Sequence, residues 1–116
     1  MLSVPPTMRV FVALVATDMR KSFAGLANAT RSVMVQDPLS GHLFVFFNRR
    51  RTMMKAVYWD RNGYALLAKR LERGKFVWPR AHEGALRLSA AQLAMLIEGL
   101  NWKQAIVHDE VITPRL

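Results

Sequence analysis

Three consecutive arginines, Arg49, Arg50 and Arg51, stand between two apolar runs of this chain, and Lys55, Arg73 and Lys75 follow within the next two dozen residues. Guanidinium groups are planar, permanently charged and forked, which suits phosphate oxygens and carboxylates. Between Arg49 and Arg87 there are eleven basic residues against three acidic ones, Asp60, Glu72 and Glu83. The whole chain carries 17 Lys+Arg against 8 Asp+Glu, a formal charge of +9. More than half of the positive charge thus falls in about a third of the length. Clustering of this kind points to a polyanion, an acidic protein or an anionic membrane rather than to charge spread for solubility. Arg20 and Lys21 would extend the patch from an earlier segment. The expected partner is DNA, held through Arg49, Arg50, Arg51, Lys55, Arg73, Lys75, Arg20 and Lys21. Contacts to phosphate position a protein without reading bases, so little base specificity is expected.

Catalytic constellations are weak by comparison. Metal-dependent strand transfer needs two or three carboxylates converging on paired cations. Asp18, Asp37 and Asp60 each have a simpler role, as helix cap, stop before proline and hairpin turn. A nuclease built on Asp18, Asp60 and Glu72 is the least favoured reading. His42, His82 and His108 have no ligand spacing and no cysteine nearby, since the chain has none. Ser22, Ser32, Ser40 and Ser89 lack a base partner and a nucleophile-elbow pattern. No glycine-rich phosphate loop is present. The expectation is a protein without catalytic residues, bound metal or cofactor. Among the rings, Phe44, Phe46, Phe47, Tyr58, Trp59, Tyr64, Phe76 and Trp78, most fill a core; one of Tyr58 and Trp59 is the candidate for exposure and base stacking.

The elements that must hold these cations follow from hydropathy periods. At 116 residues, 52% of them hydrophobic, the chain makes one domain with a real core. Val10 to Ala16 reads as a first strand, too short to cross a bilayer, so no membrane association is expected. The cysteine-free composition fits a reducing cytoplasm. Thr17-Asp18 offers an N-cap, and Phe23, Leu26, Ala27, Thr30, Val33 and Met34 make the apolar stripe of a helix that ends at Asp37-Pro38. Gly25 within it suggests a close-packing point. Leu43 to Phe47 is continuously apolar, as in a strand covered on both faces.

Asn48 to Arg51 is a charged turn. Lys55 to Trp59 and Tyr64 to Leu71 pair through Asp60-Arg61-Asn62-Gly63, where Asn and Gly tolerate positive φ. After a turn at Glu72 to Lys75, Phe76 to Trp78 forms a short strand ended by Pro79. Leu88 to Gln92 opens a second helix, with Ser89 and Gln92 at capping-box spacing. Leu93, Leu96, Ile97 and Leu100 form its stripe, Gly99 lies near its end, and Trp102 packs back on the core. The expected architecture is a single α+β domain over residues 1–102. It has an antiparallel sheet of about four or five strands and two packed helices, with a flexible tail over residues 103–116.

Three stretches of the chain, TDMRKSFAGLA (Thr17 to Ala27), SGHLFVFFNRRR (Ser40 to Arg51) and YWDRNGYALLAKRLERGKFVWP (Tyr58 to Pro79), resemble a bacterial family. The resemblance continues through LSAAQLAMLIEGLNW (Leu88 to Trp102). The family is the small accessory protein, named TnpB, of the insertion-sequence group numbered sixty-six, unrelated to the RNA-guided nuclease of that name. The matching positions include Asp18 to Lys21, Phe23, Asn48 to Arg50, Lys69 to Glu72, Gly74 and Trp78. The resemblance implies a role in transposition beside a separate, larger transposase that carries the strand-transfer chemistry, and it transfers no catalytic residue. The lead expectation is therefore a non-enzymatic accessory factor that contacts DNA. The alternative is a module that docks on the transposase and makes no DNA contact. Family members often have an acidic residue near Ala24. Near Arg51 and Thr52 they commonly have glycine and a polar or acidic residue, so this chain's turn is the more basic.

Overall fold

The computed structural model describes residues 4, 5, 7–78 and 84–101. Five strands form one sheet: β1 (Val10–Ala13), β2 (Leu43–Phe47), β3 (Met53–Trp59), β4 (Tyr64–Arg70) and β5 (Ala85–Leu88), in the order β4-β3-β2-β1-β5. Helix α1 (Phe23–Ala29) continues into a π-helical turn over Thr30–Met34, and helix α2 is Ala90–Ile97. The class is α+β, as the hydropathy periods require.

The sheet is mixed rather than wholly antiparallel. β1 runs parallel to β2, with Val10 opposite Leu43, whereas β1/β5, β2/β3 and β3/β4 are antiparallel. The reason is connectivity. A chain that leaves β1, builds a helix and returns beside β1 must enter in the same direction, and α1 is that crossover.

β2 lies at the centre, and all five of its residues are buried. Leu43, Val45 and Phe47 pack with Leu93, Leu96 and Ile97 of α2 and with Phe76 and Trp78. Phe44 and Phe46 face the other way, onto Leu26, Ala29 and Met34 of the α1 segment. The helices therefore cover opposite faces, which is why the strand's sequence is unbroken apolar instead of alternating. A phenylalanine fully removed from water there contributes about 1.5–3 kcal/mol of transfer free energy.

Several local expectations need correction. β1 ends at Ala13 rather than Ala16, although the Leu14 N–H still donates to the Gly84 carbonyl at 3.1 Å, the next step of the β1–β5 register. α1 starts after Ser22, which makes no side-chain cap, and Asp18 is not its N-cap. Instead the Asp18 carboxylate accepts from the Arg20 backbone N–H (2.9 Å) and guanidinium (2.7 Å) in a local turn. Phe23 is 45% exposed and off the buried stripe. Phe76 to Trp78 is not a strand: the Trp78 indole N–H donates to the Ala13 carbonyl at 2.6 Å and pins the segment across the sheet. The fifth strand is Ala85–Leu88, so Leu88 closes a strand and does not open α2. In the 60–63 hairpin the left-handed residue is Arg61 (φ 59°), not Asn62 or Gly63.

Other expectations are met. Ser89 and Gln92 form the reciprocal capping box at the start of α2. At its end Gly99 (φ 76°) donates to Leu96 and Leu100 donates to Met95, the paired bonds of a Schellman ending that needs a residue free to adopt positive φ. A Cβ at Gly25 would stand 3.1 Å from the Lys21 side chain, so this glycine is a close-approach point. Pro79, Trp102 and the tail over 103–116 lie outside the described residues.

Candidate nucleic-acid interface

The turn carrying the three arginines is built by Asn48. Its side-chain oxygen accepts from the backbone N–H groups of Thr52 (2.9 Å) and Met53 (3.0 Å), and its amide donates to the Thr52 hydroxyl (3.0 Å). A short polar side chain that satisfies backbone groups in this way fixes a turn that a ladder cannot. The loop after β4 is stitched to this turn: Leu71 N–H donates to the Thr52 carbonyl at 2.8 Å, and Phe76 N–H to the Arg51 carbonyl at 2.7 Å. The segment after β1 joins the same end, where Thr17 N–H donates to the Phe47 carbonyl at 2.8 Å. Three connections that carry cations therefore share one end of the sheet.

Each cation at that end has its own state. Arg49, Arg50, Arg73 and Lys75 are exposed and have no side-chain partner among the described residues. Arg51 is half-buried, sits at φ 60°, and its Nε is buried without a hydrogen-bond partner among the described residues. Lys55 lies on the α1 face of β3, and its ammonium donates to the Lys21 carbonyl at 2.8 Å, which ties β3 to the segment before α1. Arg20 is engaged by Asp18. Their hydrogen bonds, with the positive charges of Arg20 and Lys21 adding, hold the Asp18 carboxyl down at about 2. Lys69 and Arg70 point to opposite faces, as alternation demands. Lys69 donates to the Ile97 carbonyl at 2.7 Å and so caps the end of α2, while Arg70 pairs with Glu72 at 3.2 Å.

The rings divide differently. Phe44, Phe46, Phe47, Phe76 and Trp78 are buried. Trp59 and Tyr64 pack edge to face at 5.1 Å beside the 60–63 hairpin, at the far end of β3 from the arginine turn. The ring exposed near the basic end is Phe23, two residues after Lys21, whose helical spacing disguised it as core.

Asp18, Asp60 and Glu72 do not converge. Asp60 follows the end of β3, whereas Glu72 lies beyond the opposite end of the β3–β4 hairpin. Seven strand residues separate those ends by about 20 Å, too far to share a pair of cations. No group of three or more His, Asp or Glu side chains gathers among the described residues. No helix among them is long and apolar enough to cross a membrane.

A second basic location does not show in the sequence. Arg9 precedes β1 and Arg87 lies in β5, opposite Phe11. Both line an open cleft of about 490 Å³ with Phe11, Met34, Gln36, Gly84 and Ala85. Arg87 escapes notice there because Ala85–Leu88 is too short and too weakly patterned to stand out as a strand. Only its pairing with β1 brings it to Arg9.

Residues 8–106 match the family model described as "IS66 Orf2 like protein". Two similar proteins from Sinorhizobium fredii carry the names "Uncharacterized protein y4hO" and "Uncharacterized protein y4jC". The first is 43% identical over 103 residues, covering 89% of this chain and 90% of the relative. The second is 37% identical over 95 residues, covering 82% and 81%. No solved structure matches.

Proposed function

As this chain belongs to the IS66 Orf2-like family and so has a transposition-associated accessory role, we propose that it performs that role by holding DNA at the basic end of its sheet while a separate transposase carries the chemistry. The observation that carries this reading is the stitching of the 48–52 turn to the 71–76 loop. Those two bonds put Arg49, Arg50, Arg73 and Lys75 at one end, exposed, with no carboxylate partner among the described residues. Freely hydrated cations gathered in this way lower their mutual repulsion by taking up a polyanion and releasing its counterions. Arg51, Lys55 and Lys21 add field there even where their side chains serve the fold. Arg20 contributes least, since Asp18 already neutralises it. The reading is of a protein that does not catalyse strand transfer itself and works in the compartment where the element's DNA resides, the cytoplasm.

The test replaces Arg49, Arg50, Arg73 and Lys75 together by alanine and measures affinity for a short duplex against salt concentration. Arg51 is left in place because its backbone is part of the turn. The expected result is weaker binding, with the slope of log affinity against log salt reduced by about three to four, near 0.9 for each phosphate no longer neutralised. Unchanged affinity and slope would overturn the proposal. The competing reading is a module that meets acidic protein on the transposase with the same surface. It requires that a complex with the transposase survive nuclease treatment and that the variant lose the transposase but not the duplex.

A further inference from the structure

We propose that the cleft between β1, β5 and the end of the α1 segment is a separate site for one nucleotide of a single-stranded nucleic acid, with its phosphate on Arg9 and Arg87 and its base against Phe11. This goes beyond the duplex contact argued above and uses the β5 edge of the sheet. Phe11 and Arg87 are cross-strand partners, so their side chains leave the same face, and Arg9, two residues before Phe11, shares it. Phe11 pairs with Phe44 of β2 on one side and with Arg87 on the other, so this cleft lies along the β1–β5 edge of the sheet, whereas Arg49 and Arg50 follow the end of β2.

Three features fit a nucleotide better than a bare anion. The cleft, about 490 Å³, is within the range of sites for small organic ligands. Phe11 is half-buried and held rigid: Phe44 stacks on it at 5.7 Å and His42 meets it edge-on at 6.0 Å. A ring fixed in this way offers its remaining surface at little entropic cost, and every base has a face to lay on it. No carboxylate lines the cleft, so nothing among the described lining residues neutralises the two guanidinium groups. His42 is itself held by the Arg9 backbone N–H, which donates to its Nδ1 at 3.0 Å, so the neutral ring carries its proton on Nε2. Single-stranded segments, whose bases are unstacked, are the form of nucleic acid that can put a base into such a cleft.

The probes are a fluorescein-labelled thymidine dodecamer, the same backbone with its central sites abasic, and a blunt twelve-base-pair duplex, each titrated by anisotropy with the full chain. The Arg9→Gln/Arg87→Gln variant is expected to bind the dodecamer more weakly, with a salt slope lower by about 0.7, the value for the one single-strand phosphate that the pair neutralises. Phe11→Leu keeps an apolar group on Phe44 but removes the ring, and should weaken the dodecamer by at least about fivefold, the lower end of the range for one base stack. Wild-type protein should prefer the dodecamer to its abasic form, and neither variant should change duplex affinity. The inference is overturned if the double variant binds the dodecamer as wild type does, if the abasic strand binds equally well, or if duplex and single strand weaken together. The Arg49/Arg50/Arg73/Lys75 variant separates the two ideas: it tests the duplex contact alone, and either site can fail without the other.

Discussion

Arg51 holds the least comfortable backbone of the basic turn. A side chain at φ 60° is crowded against its own carbonyl, at a cost of roughly 1–2 kcal/mol that glycine avoids. The turn closed by Asn48 requires a left-handed residue at this position, a conformation that glycine adopts without strain. Arg51→Gly is therefore expected to raise the melting temperature by a few degrees, while Arg51→Ala, which removes the same charge but keeps the strain, is not. Thermal melts of the two variants decide it. His42 makes a second residue-level prediction. Burial chiefly, then the charges of Arg9 and Arg87, push its pKa below the ordinary value. The unfolded chain thus binds the proton first as pH falls, so stability is full above about 6.5 and erodes below it. Melting temperatures from pH 8 to pH 5, above the carboxylate range, should decline through that window, and His42→Gln should flatten the decline.

At the scale of elements, α2 is short, and its ends do much of its work. The Ser89 hydroxyl accepts from the Gln92 N–H at 3.1 Å, and the Gln92 side chain accepts from the Ser89 N–H at 3.0 Å, in buried surroundings. Ser89→Ala should cost about 1 kcal/mol, read from the midpoint of urea denaturation at unchanged slope. Because the basic turns lie on connections of the sheet away from this cap, the variant should keep its affinity for duplex. The α1 segment is legible in a different way. Its apolar spacing announces a helix, but Asp18 does not cap it because α1 begins only at Phe23; the carboxylate instead closes a local turn, accepting from both the backbone N–H and the guanidinium of Arg20. The stripe also fails at Phe23, which opens α1 and is left exposed.

Across the whole molecule, helices on opposite faces leave one end and one edge of the sheet to carry chemistry. Loops from β1, β2 and β4 meet at one end with Arg49, Arg50, Arg73 and Lys75 exposed, and Arg9 and Arg87 meet along the β1–β5 edge. The three carboxylates of the nuclease reading fall at both ends of the β3–β4 hairpin, which removes the geometry that two-metal chemistry requires. Family membership supplies the transposition-associated role; the distribution of unpaired charge supplies the reading of how that role is met.

Local chemistry decided what could be read without coordinates. The buried period of Leu43 to Phe47, the capping pair Ser89 and Gln92, the hairpin at 60–63 and the density of cations all follow from neighbours along the chain, because each rests on interactions spanning a few residues. Pairing between distant segments decided the rest. The parallel β1–β2 junction, the strand at Ala85–Leu88, the indole of Trp78 reaching Ala13 and the meeting of Arg9 with Arg87 depend on segments tens of residues apart. No local period encodes these, since the free energy that selects them is gained only when the whole sheet closes over its two apolar faces.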